Sequence, residues 1–188
     1  VPAAQAQQLI IETAIRLLRT RPFDQVTARL ITREANLDLS TIPRNFGSMQ
    51  NLFVTVCRQL AADALARRQR VLGSGTPANA FGLMLDPDLV LRSRVIAWMV
   101  GEGVVAAVDE DRQRATMTWL AEEFRSQVPV HERTAWLWMH LMALLSEGLA
   151  VFGDLHYLSD ADLTDAWQMV MGLRAHLPAV EQTIDWAD

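Results

Sequence analysis

Residues 27–46, TARLITREANLDLSTIPRNF, decide how this chain is read. Thr27 suits a helix N-cap, because its hydroxyl can accept a backbone N–H of the first turn. Leu30 and Ile31 then supply the apolar side of a short helix, Ala28–Ala35. Asn36 follows where a left-handed residue would close that helix, and asparagine tolerates this conformation better than most residues. Asp38 can cap a second short helix, Leu39–Asn45, with Ile42 and Phe46 turned inward. The spacing predicts two short helices joined by a tight turn.

Upstream, Ala3–Thr20 reads as a helix with Leu9, Ala14, Leu17 and Leu18 on its inner side. Arg21-Pro22 stops it, since proline disfavours helix in the residue before it, and Phe23 and Val26 are placed to plug the core across the turn. Downstream, Ser48 caps a long fourth helix from Met49 to about Leu72, and GSGTPAN, residues 73–79, is the clearest linker. A short helix near Ala78–Leu85 and a break at Asp86-Pro87-Asp88 precede a buried helix, Leu89–Val108. The acidic turn Asp109-Glu110-Asp111 leads into Arg112–Arg125. Pro129 opens a long helix ending near Phe152, and a final helix, Asp160–His176, is ended by Pro178. No stretch alternates as a strand does. The expected fold is all-α, with about nine helices. A three-helix helix-turn-helix domain, residues 1–48, is joined by the long fourth helix to a helical domain, residues 49–188.

Composition narrows the function. Of 188 residues, 51% are hydrophobic, which excludes disorder by low hydrophobicity. With Cys57 as the one cysteine, no disulfide framework and no cysteine-based zinc site can form, in keeping with a reducing cytoplasm. The opening AAQAQQ is polar rather than basic and then apolar, so no signal peptide is read there. The longest apolar run, Ala135–Phe152, contains His140, Ser146 and Glu147, which are costly in lipid, so a buried helix is expected rather than a membrane span. The net charge of −5 hides a split: residues 1–72 carry ten arginines against five acids, whereas residues 73–188 are net −10. A basic front on an acidic body suggests that the front meets a polyanion. The four histidines, His131, His140, His156 and His176, match no metal spacing, and Gly73 and Gly75 follow a helix rather than a strand. No catalytic residue, metal or cofactor is therefore assigned, and a small all-α enzyme is the remote alternative.

A helix, a tight turn and a short amphipathic helix is the arrangement that places side chains in a major groove, although the same pattern occurs in ordinary bundles. The stretch Leu9–Phe53 also resembles, without a gap, the N-terminal domain of the TetR family of bacterial transcriptional regulators. The resemblance rests on Phe23-Asp24, Val26-Thr27, Ala35, Thr41, Phe46, Ser48 and Leu52, and beyond it the chain is similar only in helix number and length. It implies a homodimer whose two short recognition helices read half-sites of a palindrome in double-stranded DNA, on the order of 34 Å apart. It also implies a pocket for a small-molecule effector whose binding alters the separation of the reading heads, and a four-helix bundle made by the last two long helices of each partner.

Carried over position by position, the resemblance assigns DNA contacts to Thr27, Arg29, Leu39, Ser40, Thr41 and Arg44, with Asn45, Arg33 and Gln50 as candidate backbone contacts. The chemistry agrees: threonine hydroxyls and backbone N–H groups hold phosphates, arginine pairs with guanine in bidentate fashion, and Leu39 offers apolar contact with a thymine methyl. Two positions depart from the family's pattern. Pro43 stands where a phosphate-binding tyrosine is usual, and Met49 where a lysine is usual. In a helix beginning at Leu39, Pro43 would be the fifth residue, with an interior penalty of roughly 3 kcal/mol and a distorted recognition helix. A TetR-like adaptor or sensor with weakened DNA binding is accordingly the alternative reading.

In the body, Trp98, Met99 and Glu102 share a stripe of one helix, and Met117, Trp136, Met139 and His140 lie on its neighbours. Such aromatic and thioether side chains suit an apolar or aromatic effector, although tryptophan and methionine at helical spacing also make plain core. Glu102, a carboxylate on an apolar stripe, needs a partner, either an arginine of the body or a ligand. Leu141, Leu145 and Leu149, with Leu163, Trp167, Val170 and Met171, are the expected dimer contacts, because two long apolar helices need a cover.

Overall fold

The computed structural model describes residues 2–73, 86–104, 110–156 and 159–184, and every regular element among them is helical: the fold is all-α. The expected short helix at 78–85 lies outside the described residues. The described residues form two units, one of 2–73 and 86–104, the other of 110–156 and 159–184.

The first unit holds α1 (Ala3–Leu18), α2 (Ala28–Glu34), α3 (Thr41–Phe46), α4 (Met49–Gly73) and α5 (Pro87–Gly101). In α1 the positions Ile10, Ala14, Leu17 and Leu18 recur at helical spacing and are buried, whereas Leu9, expected on the inner side, is 37% exposed and its neighbour Ile10 takes that place. The buried residues pack with Val26 of the connection that follows, Ile31, Ile42 and Phe46 of the next two helices, Leu52, Val56 and Leu60 of α4, and Val95 and Met99 of α5. Trp98 of α5 meets Phe23 at 6.0 Å and Phe53 at 5.4 Å between ring centroids, both edge-on. Cys57 lies in the same core. Burial pushes its thiol up to about 11 against the opposing charge of Arg92, so it stays protonated at neutral pH and is a poor nucleophile.

An ion cluster ties three helices of this unit. Arg67 of α4 grips both oxygens of Asp86, Nε to Oδ2 at 2.9 Å and Nη2 to Oδ1 at 2.7 Å, and Nη2 also donates to Asp88 at 2.7 Å. Arg19, just past α1, donates to the other oxygen of Asp88. Asp86 is also the N-cap of α5, accepting the Asp88 N–H at 2.9 Å. Burial raises the Asp86 carboxyl, but the Arg67 guanidinium and the N–H groups of Asp88 and Leu89 outweigh it and hold the group below the ordinary carboxylate value.

Several helix ends differ from expectation, α5 opening at Pro87 and the helix expected from Arg112 at Glu110, and three of the differences show their cause. The helix read as Leu89–Val108 stops at Gly101, because Gly103 adopts a left-handed φ of 76°. Its N–H bonds Val100 O and the Val104 N–H bonds Met99 O, a Schellman closure. The helix expected to open at Pro129 begins at Glu132, capped by His131, whose Nδ1 accepts the Arg133 N–H at 3.2 Å. The last helix runs to Glu181 with Pro178 inside it, although proline was expected to end it. Arg174 O loses its donor there, but the turn beyond is anchored from outside. The Glu181 carboxylate accepts the His131 N–H at 2.9 Å and the Thr134 hydroxyl, and Leu177 packs on the core.

The second unit is thus α6 (Glu110–Gln127), α7 (Glu132–Phe152) and α8 (Asp160–Glu181). Leu120, Phe124, Val128, Val130, Ala135 and Met139 form its core, and Arg174 lies 5.2 Å over the Phe124 ring. Ser159 and Asp162 start α8 with a reciprocal capping box.

Candidate nucleic-acid interface

The first short helix folds as its residues dictate. Thr27 Oγ1 accepts the Leu30 N–H at 3.3 Å, and Asn36 takes the left-handed conformation, φ 53°. The Leu37 N–H then bonds Thr32 O at 2.9 Å and the Asn36 N–H bonds Arg33 O at 3.2 Å. This Schellman closure turns the chain sharply into α3, giving helix, tight turn, helix.

The second short helix starts two residues later than expected. The Thr41 N–H closes a turn on Asp38 O at 2.9 Å, and the first helical bond is Arg44 N–H to Ser40 O at 3.2 Å. Pro43 is therefore the third helical residue rather than the fifth. The leading N–H groups of a helix have no internal partner, so the missing donor of Pro43 breaks no bond. The expected penalty and distortion are corrected accordingly. The reason is local, since with no N–H at position 43 the Leu39 carbonyl has no helical donor and the ladder opens one carbonyl further on.

The candidate residues divide by exposure. Thr27, Arg29, Ser40 and Arg44 are exposed, and Leu39 is 50% exposed. The hydroxyl hydrogen of Thr27 remains to be donated, because only its oxygen serves the cap. Neither Arg29 nor Arg44 is in an ion pair among the described residues, so both guanidinium groups face solvent uncompensated. Arg33, by contrast, has Glu34 at 3.9 Å. Thr41 is turned inward at 5% exposure, and half-buried Asn45 donates to Thr41 O at 2.7 Å. Both border, together with exposed Arg33 and Arg44, a cleft of about 830 Å³ between α3, the end of α2 and the start of α1. Gln50 is exposed, whereas Met49 packs against the core. At that position the chain adds apolar surface to the hydrophobic cluster instead of a cation to the outer face. Pro43 is exposed, and the sequence reading, which weighed it only as a defect, missed its place on the outer face.

The remaining candidates fall in both units. Trp98 and Met99 serve the first core, and Glu102 is exposed at the C-cap of α5, so burial forces no partner on it. In the second unit Met117, Trp136 and Met139 pack together with the core. His140 stacks on Trp136 at 3.7 Å between centroids, and its Nδ1–H donates to Trp136 O at 2.8 Å, which leaves Nε2 as an acceptor. On α7, Leu141 and Leu145 are 56% and 39% exposed, and Leu149, Leu163, Trp167, Val170 and Met171 are half-buried. Leu144, Met169 and Leu173, unread from sequence, are more exposed than these, and Phe152 is nearly as exposed as Leu141. Helical periodicity places residues on a face but does not say which face a neighbour covers. The segment Glu132–Leu155 is long and apolar enough to cross a membrane by length and composition, and with 17% of its apolar stretch buried it is not the buried helix expected from the sequence. No group of residues suited to a metal occurs among the described residues.

Residues 10–56, from within α1 through α2 and α3 into α4, match the family model of bacterial regulatory proteins, tetR family. No curated protein and no solved structure matches the chain.

Proposed function

From the match of residues 10–56 to the family model of bacterial regulatory proteins, tetR family, we propose that the protein is a ligand-responsive repressor. It binds a palindromic operator as a homodimer and releases it when a small apolar or aromatic effector binds. The observation that carries the reading is the outer face of the two short helices, where Thr27, Arg29, Leu39, Ser40 and Arg44 stand exposed with two uncompensated cations. Arg44 is offered to a guanine edge and Arg29 and Thr27 to phosphates, which supply affinity while base edges supply sequence. DNA binding of this kind puts the protein in the cytoplasm, as a regulator rather than an enzyme.

Met117, Trp136, Met139 and His140 are the proposed effector contacts of the second unit, with His140 Nε2 as the polar anchor. Trp98, Met99 and Glu102 are those proposed on α5. The dimer is proposed to form through α7 and α8, whose exposed leucines otherwise face water. The adaptor reading loses the support it drew from a distorted recognition helix.

The test is retention of duplexes from a random-sequence pool at graded salt. Binding should fall steeply with salt. Arg44→Ala should weaken the selected duplex by about 1–3 kcal/mol and relax specificity at one position, whereas Arg29→Ala should weaken all sequences alike and flatten the salt slope by about one. A chain that retains no duplex at low salt would refute the reading.

A further inference from the structure

The outer edge of α3 is apolar where a nucleic-acid surface is usually polar. Leu39 lies outside the core at 50% exposure. Pro43, four residues on, is exposed as well, and the intervening chain is right-handed, with Ser40 at φ −64°, ψ −11°. Four residues along such a turn brings side chains to the same side. Ile42 and Phe46 by contrast are buried, so the edge is made by Leu39 and Pro43 with Ser40 and Arg44 beside them. A single exposed leucine needs no explanation. A leucine and a proline paired on the reading face, next to an uncompensated arginine, do.

If this helix enters a major groove, one kind of apolar group awaits it. The base edges there carry nitrogen and oxygen donors and acceptors, and the C5-methyl of thymine is the exception. We infer that Leu39 and Pro43 form a methyl-reading edge, selecting half-sites with pyrimidine C5-methyl groups adjacent to the base that Arg44 contacts. Pro43 suits the task because its ring is rigid, so little side-chain freedom is lost when it is covered, and at the third helical position its missing N–H breaks no bond. It has no side-chain donor for a phosphate, so apolar contact is what it can offer. The inference rests on the DNA-binding reading above and specifies what that site reads.

Methyl reading has a consequence that hydrogen-bond reading lacks. Uracil differs from thymine only by the methyl and keeps the O4 acceptor. The full chain is therefore titrated against a duplex selected from a random pool and against the same duplex with deoxyuridine for thymine in both half-sites. Covering one methyl corresponds to about fourfold in affinity, so the uracil duplex should bind about fourfold more weakly for each methyl read. In Leu39→Ala and Pro43→Ala the thymine-to-uracil ratio should fall toward one, whereas Arg44→Ala should lose affinity and keep the ratio. Leu39→Gln, with unchanged helicity, serves as a second variant at an exposed position. Equal binding of the two parent duplexes overturns the inference while leaving DNA binding in place, and so does a uracil penalty that persists in every Leu39 and Pro43 variant. Failure to bind any duplex overturns the proposed function and this inference with it.

Discussion

Replacing Arg67 by methionine removes the guanidinium from the cluster that joins α4 to α5 and keeps most of the packing of the side-chain stem. The two carboxylates that lose a partner are nearly inaccessible, Asp86 at 11% and Asp88 at 9% side-chain exposure, while Arg67 itself keeps 38%. Breaking a fully buried pair costs about 3–5 kcal/mol. Partial exposure of the cation screens the interaction, and Asp88 retains Arg19, so the expected loss is about 2–3 kcal/mol at pH 7. For a chain of this length that lowers Tm by about 5–10 °C. The acid dependence follows from the depressed folded-state pKa of Asp86. A carboxyl held below its unfolded value contributes stability that is fully present above the unfolded pKa, near 4, and is lost as pH falls through the folded one. The difference between parent and variant should shrink as pH falls below 4 toward the folded-state pKa of Asp86, where the parent also takes up the proton. Urea unfolding at pH 7 and pH 3, followed by far-ultraviolet circular dichroism, measures it. A loss below about 0.5 kcal/mol at pH 7, far under the 3–5 kcal/mol of a buried pair, or a loss equal at both pH values, refutes the assignment of the cluster.

Pro43→Ala should leave the unfolding free energy within about 1 kcal/mol of the parent, because the proline only stiffens the unfolded chain there; a gain near 3 kcal/mol would put it in a helix interior. Asn36→Gly should be nearly neutral, and Asn36→Val should cost about 1–2 kcal/mol in thermal unfolding, since φ at this position is positive; equal stabilities would contradict the closure of α2. Leu145→Glu, at a position 39% exposed, should convert a sedimenting dimer to monomer without loss of helicity. A dimer that survives this change places the interface elsewhere.

How far the chain could be read depended on the range of the interaction that decides each feature. Thr27 and Asn36 act on backbone groups within a few residues, and their roles were legible from residue type. The start of α3 depended on Pro43 as well as Asp38, and the competition between a cap and a missing donor went to the proline. The extension of α8 through Pro178 was not legible, because Glu181 is held by His131 and Thr134 about fifty residues away. At the interface, the residue types pointed to Thr41 as readily as to Ser40, yet burial separates them. Thr41 is 5% exposed and Ser40 faces solvent.

By itself the run 27–46 determined that two short helices meet at a sharp turn, because caps, left-handed residues and apolar spacing are local causes acting through the i→i−4 ladder. The tertiary structure decided what those helices show to a partner. It turned Thr41 and Met49 inward, left Leu39 and Pro43 outside, and closed Arg19 and Arg67 on carboxylates 69 and about 20 residues distant. Burial and ion pairing depend on which surfaces meet in space, and spacing along the chain does not encode that.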